Sequence, residues 1–304
     1  MKRIVADLLI VLLLTAGSSS RLLAQSLTAD RFLAGVSARP VGDQVEQDQF
    51  LKADMALNAA PPAEVQRELP SILQYALSGN EVHVREYAVG FLTAIAIRPD
   101  GANLLSSDSE GISSLLVDSS PGIQNGAAAI TDWLIGKPGT NNQPYISAMQ
   151  AAIQKPQTPQ LAGVNMVIPL LKLAPAHSGA VASVLEFMHR KDLTVWTRTE
   201  LVHEMGVEPG LPEEVTQTLV KDLDDPDPWV RAAAVAAFSD STTEYRTLAK
   251  NRIERMATDP QEDPDVRELA KEAIAGKTNL SPNIHLAPEP KDLPPLPPVQ
   301  PMDH

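Results

Sequence analysis

Asp224-Asp225-Pro226-Asp227-Pro228-Trp229-Val230-Arg231 is the stretch whose reading decides the fold. Asp227 stands immediately before a proline, where its carboxylate can accept from the unpaired N–H groups that open a helix. Pro228 fits the first helical position because its missing N–H would have no partner there. Arg231 follows four residues after the cap, then Ala234 and Phe238 continue an apolar face. The same order recurs from Asp263 (Arg267, Ala270, Ile274), Thr194 (Arg198, Leu201, Met205) and Glu81 (Arg85, Ala88, Leu92). Ser120-Pro121 begins a fifth copy, with Gln124 in the arginine slot and Ala127 after it. Adjacent copies lie 33 to 39 residues apart. A fixed period in the range of about 20–50 residues marks a stacked repeat.

Outward from these anchors the chain reads as helix pairs separated by Gly, Pro, Asn and Asp. The expected pairs are 63–77 with 82–97, 102–117 with 122–135, and 143–153 with 161–173. They continue with 179–189 and 195–205, 213–223 and 229–238, and 244–256 and 266–275. Pro169 is expected to kink the helix at 161–173. Residues 25–60 form an N-terminal capping segment with one amphipathic helix over 45–58. Aromatic residues make up only 4% of the chain. Ala, Leu and Val dominate instead, as suits closely packed helices better than a β-sandwich.

Leu69-Pro70-Ser71-Ile72-Leu73 through Asn80-Glu81-Val82-His83-Val84-Arg85 and the stretch at 224–231 resemble HEAT repeats. An apolar first helix, an Asp or Asn in the turn and Val-Arg opening the second helix carry the likeness, over residues 61–276. The third unit is the least similar, since it lacks the arginine. The resemblance implies a right-handed α-solenoid of about six helix pairs whose inner helices line a concave binding face. It also implies that Arg85, Arg198, Arg231 and Arg267 bridge to turn residues of their own or the next unit. Asn80, Asp192, Asp225 and Asp259 or Asp263 stand in position to receive them. Anion binding by this ladder is the alternative. The resemblance implies no activity.

Both ends of the chain differ in kind. Residues 1–24 read as an export signal: Lys2 and Arg3, an apolar run from Ile4 to Ala16, then small residues ending at Ala24. Retention as an uncleaved anchor is the alternative. The run is shorter than the roughly 20 residues needed to span a bilayer. A periplasmic or secreted protein without a transmembrane span is therefore expected. No cysteine is present, which excludes disulfides and a lipidated N-terminal Cys. Residues 277–304 form a Pro-rich disordered tail; from Leu280 onward eight of 25 residues are Pro. Lys291, Pro294 and Pro297 match SH3-ligand spacing, but a spacer or tether suits an exported chain better.

Loss of residues 1–24 removes Lys2, Arg3, Arg21 and Asp7, leaving 22 basic and 37 acidic side chains and a net charge of −15. Such a surface repels nucleic-acid phosphate. The six histidines (83, 177, 189, 203, 285, 304) show no metal spacing, and His83 is expected to face solvent. There is no Gly-x-Ser-x-Gly elbow, no thiol and no phosphate-cradling glycine loop. No cofactor and no catalytic residue is expected. Trp196 and Trp229 each lie two residues after a helix cap, 33 residues apart. With Trp133 they are candidate anchors for a protein or peptide partner, packing between repeats being the other reading. Asp222, Asp224, Asp225 and Asp227 crowd one turn and Asp259, Glu262, Asp263 and Asp265 the next. A cation-responsive adhesion or structural module is therefore the alternative function, although the EF-hand order is absent. The leading expectation is a non-catalytic exported scaffold that binds a protein or peptide.

Overall fold

The computed structural model describes residues 28–37, 44–173, 179–241 and 244–280. The export segment, the Pro-rich stretch beyond Leu280, and His177, His285 and His304 lie outside them. Every described regular element is a helix, and no strand occurs among the described residues. No helix among them is long and apolar enough to cross a membrane. The chain is an all-α helical-repeat protein. It divides into two compact units, residues 1–104 and 105–304.

Unit 1 holds α1 (Ala29–Val36), α2 (Gln44–Ala59), α3 (Pro62–Ser78) and α4 (Val82–Ile97), and ends within α5 (Gly101–Leu105). The N-terminal segment thus carries two helices rather than one. Thr28 caps α1, and α1 buries Phe32, Leu33 and Val36. α1 packs on α3 and α2 on α4, so the segment itself forms a helix pair. Much of this unit's core is one aromatic cluster. Phe32 meets Tyr87 and Phe91 edge-on at 5.1 and 5.7 Å, and Phe50 lies 4.9 Å from both. Offset and edge-to-face arrangements suit the ring quadrupoles and add about 0.5–1.5 kcal/mol per pair beyond area burial.

Unit 2 continues with α6 (Ser109–Ser114), flanked by 3-10 turns at Ser106–Asp108 and Leu115–Val117, and then α7 (Pro121–Leu134). Three further pairs follow: α8 (Asn142–Ile153) with α9 (Gln160–Lys172), α10 (Ala180–Met188) with α11 (Val195–Gly206), and α12 (Glu213–Lys221) with α13 (Pro228–Asp240). The last pair is α14 (Glu244–Thr258) with α15 (Pro264–Ile274). First helices α6, α8, α10, α12 and α14 pack side by side in sequence order; second helices α7, α9, α11, α13 and α15 do the same. This double row is a solenoid: each pair buries its face only against its neighbours. The outer side of the terminal α14 exposes Arg246, Lys250, Glu254 and Arg255, the polar finish that such a stack requires.

One local expectation is corrected. The single helix expected over 102–117 is broken into short pieces. Ser109, Ser113 and Ser114 turn their hydroxyls onto the carbonyls of Ser106, Glu110 and Gly111, which competes with helix continuation. Pro169, where a kink is expected, lies inside α9, which is one helix from Gln160 to Lys172. The proline expectations at helix starts hold: Ser120, Asp227 and Asp263 each accept from a first-turn N–H directly before a Pro at the first helical position.

In unit 2, two glycines allow close helix approach. A Cβ on Gly163 of α9 would stand 2.3 Å from Cζ of the fully buried Phe187 of α10. One on Gly206 of α11 would stand 2.6 Å from Cβ of Ala237 on α13. Overpacking of this kind costs about 1–3 kcal/mol. Gly163→Ala is therefore expected to lower the urea-unfolding midpoint by a corresponding amount, despite its better helix propensity. An unchanged or raised midpoint would show that Phe187 has room to move.

Candidate functional site

The turn edge of the stack is occupied by the arginine ladder. Arg198, in the first turn of α11, reaches the next pair's turn and forms an ion pair with Asp225. Arg231, the equivalent residue of α13, reaches one pair further and binds Glu262 Oε1 through Nε and Nη2 at 3.1 and 2.7 Å. Its Nη1 also donates to the carbonyls of Asp225 and Pro226, at 2.7 and 3.1 Å. Arg267 donates to the carbonyls of Asp259, Pro260 and Glu262. In unit 1, Arg85 donates to the Ala76 carbonyl at 3.0 Å. The ladder thus ties Arg85, Arg231 and Arg267 to backbone carbonyls of their own pair, while Arg198 and Arg231 reach the following turn.

The acidic turn at 222–227 has its oxygens engaged as well. Asp225 also accepts from the Asp227 N–H at 2.8 Å, and Asp227 accepts from the Trp229 N–H at 2.9 Å. Asp224 pairs with Arg252 of α14. No group of three or more His, Asp or Glu side chains among the described residues could hold a metal ion. Asp222 differs from its neighbours. Burial, reinforced by the nearby Asp225 charge and opposed by Arg198, pushes its carboxyl up to about 7.

Three inter-repeat clamps lie outside the repeated cap-and-arginine pattern. Arg98, just past α4, holds Asp100 and donates to the carbonyls of Leu57, Asn58 and Ala60 at the C-terminal end of the neighbouring α2. Arg190, after α10, likewise holds Asp192 and donates to the Pro156 carbonyl after α8. Asp192, expected to serve the ladder, is taken by this Arg-x-Asp clamp instead. Gln160 opens the arginine-less α9. Its Oε1 accepts from Thr194 N at 2.9 Å and Thr197 Oγ1 at 2.6 Å, and its Nε2 donates to the Asp192 carbonyl at 2.9 Å. One amide therefore positions the cap of α11, which explains how the irregular third unit keeps its place.

The remaining candidate surface is the row of second helices in unit 2. On α11 the buried positions are Thr197, Thr199, Leu201, Val202, Met205 and Gly206. Trp196, Glu200, His203 and Glu204 form the opposite, partly exposed stripe, at the spacing of one helical face. Burial pushes Glu200 up, with Glu204 adding to the rise and His203 opposing it. The adjacent Glu204 raises His203 against burial, and Glu200 and Asp240 of α13 add to the rise. Trp229 occupies the matching place on α13 and is also half-buried. Trp133 stands apart. It is 47% exposed and sits near the C-terminal end of α7. Counted from the helix cap it is eleven residues further along than the other two, about 16 Å at 1.5 Å per residue. His83, expected to face solvent, is half-buried, with Nε2 enclosed and unpartnered.

No family model matches the chain, and no curated protein does. Solved structures of similar fold include a computationally designed armadillo repeat protein for modular peptide recognition. It is 16% identical, with a TM-score of 0.38 over 82% of this chain and 98% of that one. Another is a designed armadillo repeat protein in complex with the peptide (KR)4, 14% identical with a TM-score of 0.38 over 82% and 98%.

Two outcomes follow from the turn chemistry. Arg231→Ala leaves Glu262, whose side chain is 10% exposed, without its cation and uncovers two carbonyls. A loss of about 1–3 kcal/mol is expected, with hydrogen exchange accelerated mainly in α13–α15; a normal melting curve would count against the stacking role. For Asp222 the folded pKa of about 7 lies above the ordinary 3.8. The folded state therefore binds the extra proton between these values, and stability falls as pH rises towards 7. Thermal melts across about pH 5 to 8 should show this fall, and Asp222→Asn should flatten it.

Proposed function

We propose that this protein is a non-catalytic, exported scaffold of HEAT-like repeats. It binds a protein or peptide along the second-helix row of unit 2, on the concave side that such repeats present. The observation that carries this reading is the stripe Trp196, Glu200, His203 and Glu204 on α11. The turn arginines and carboxylates are engaged in stacking, whereas this stripe combines an aromatic anchor with charges on a partly open face. Aromatic residues ringed by polar groups are the usual anchors of protein interfaces. The strongly acidic mature chain argues against a nucleic-acid partner, and the N-terminal signal pattern favours a periplasmic or secreted setting.

The test is an affinity capture from the host's envelope fraction with residues 25–304 as bait, beside a bait ending at 279 and a Trp196→Ala bait. A partner retained by the first two and depleted at least about tenfold on the third is expected, the scale of losing one interface hot spot. A partner lost only with the Pro-rich end would move binding to the tail. No enriched protein on any bait would overturn the scaffold reading.

A further inference from the structure

The chemistry of the partner can be read from the C-terminal rim of the same helices. A hollow of about 170 Å³ opens between the end of α9 and the loop after α11. Its apolar wall is Ile168, Leu171 and Leu211, with Pro209 and Gly210 shaping the loop; Gly210 adopts φ +70°, the left-handed conformation that glycine tolerates. Small-molecule sites usually occupy about 300–1,000 Å³, so this one suits a single long side chain. At its mouth Lys172 Nζ lies 3.9 Å from both Asp132 Oδ1 and Glu208 Oε1. One ammonium is thus shared loosely between two carboxylates, beyond hydrogen-bond distance of either.

Acidic groups outnumber basic ones along these helix ends. Asp132 lies in the last turn of α7, Glu204 in that of α11, and Asp240 ends α13. Helix C-termini carry partial negative charge and favour cations, so acidic groups there deepen the negative field, even where, as at Asp240, the carboxylate also accepts from the Asn279 N–H at 2.7 Å. No Lys or Arg occupies the last turn of α7, α11 or α13. At the hollow Lys172 is set against Asp132 and Glu208; further along the row His203 sits among Glu200, Glu204 and Asp240, and Arg246 reaches the Ser241 carbonyl just past α13.

We propose that the hollow beside Lys172 and Glu208 receives the side chain of an arginine or lysine from a basic peptide segment, whose flanking cations meet the acidic helix ends. The aliphatic stem of such a side chain covers Ile168, Leu171 and Leu211 while its head stays at the charged mouth, the way long basic side chains bury their carbons. The bound cation displaces Lys172 from its shared carboxylates. This assignment rests on the peptide-scaffold reading and narrows it to one ligand chemistry.

The test uses residues 25–304 and two fluorescein-labelled probes, hexa-arginine and hexa-glutamine, followed by anisotropy at low and high salt. Hexa-arginine should bind, weaken as salt rises, and exceed hexa-glutamine. Glu208→Gln should weaken it about tenfold, the scale of losing one charged contact, whereas Glu213→Gln with Glu214→Gln on the far first-helix row should leave it unchanged. Lys172→Gln should tighten binding severalfold, while Lys271→Gln, with the same charge change elsewhere, should not. Equal responses to rim and distant substitutions, or no preference for hexa-arginine, would overturn the proposal. Preference for hexa-glutamine that is abolished by Trp196→Ala would also overturn it, while leaving the peptide-scaffold reading standing.

Discussion

The packing of α13 between α11 and α15 is the constraint on which the rest of unit 2 depends. From Ala232 to Ser239 every residue of α13 is buried, and five of the eight are alanine. A surface of methyl groups offers van der Waals contact only if its neighbours come close, because dispersion falls away over about an ångström of gap. Gly206 allows that approach from α11, and Tyr245 of α14 closes the core with its hydroxyl donating to the Ala234 carbonyl at 2.8 Å. Once these distances are set, the register of neighbouring pairs is set with them. The first-turn arginines then fall within reach of the next turn, as Arg198 does of Asp225 and Arg231 of Glu262. The polar bridges therefore report the packing and lock it; they do not create it.

This order of causes explains why the turn carboxylates are a poor guide to ligands. Asp224, Asp225 and Asp227 look in sequence like a cluster awaiting a cation. In the folded unit each is separately employed: Asp224 pairs with Arg252, Asp225 pairs with Arg198, and Asp227 caps α13. Asp222 is the one left in an uncomfortable place, buried beside a like charge with Arg198 already committed to Asp225. Desolvation of a carboxylate beside another carboxylate favours its neutral form. The turn thus stores a pH response as a by-product of its stacking role.

The fold was legible because its signals are local and repeated. Asp227-Pro228 and Asp263-Pro264 state a cap and a first helical residue in two letters, and the arginine four after each cap gives the register. What was not legible depends on partners distant in sequence. The reach of Gln160 to Thr194 spans 34 residues, and that of Arg98 to Leu57 spans 41. Gln160 follows no repeated pattern, and although Arg98-x-Asp100 recurs as Arg190-x-Asp192, two copies in the sequence do not say which carbonyls the arginine reaches. The broken helix around Ser109 was lost for a different reason: serine hydroxyls compete locally with the backbone, and apolar periodicity does not register that competition. The α11 stripe lay between these cases. Once Trp196 is placed two residues after its cap, the 3.6-residue period puts Glu200 and His203 on the same face. What the sequence could not supply was the neighbour, Asp240 on α13, whose charge joins theirs.

A helical-repeat chain has few ways to distinguish a binding face from a merely solvated one, because both are polar. The distinguishing mark is conflict with stability. Glu213 and Glu214 sit in the first turn of α12, where acidic groups favour the helix, so they need no explanation beyond folding. Asp132, Glu204 and Asp240 sit in last turns, where the same chemistry is unfavourable. Local rules are broken in natural proteins chiefly where function asks for it. Asp240 is partly accounted for by the Asn279 N–H and Glu204 by His203. Asp132, however, meets a loosely held Lys172 at the mouth of the apolar hollow, where a cationic ligand would relieve the conflict better than solubility explains it. Solubility would be served equally by acids at the other end of the same helices, without opposing their dipoles.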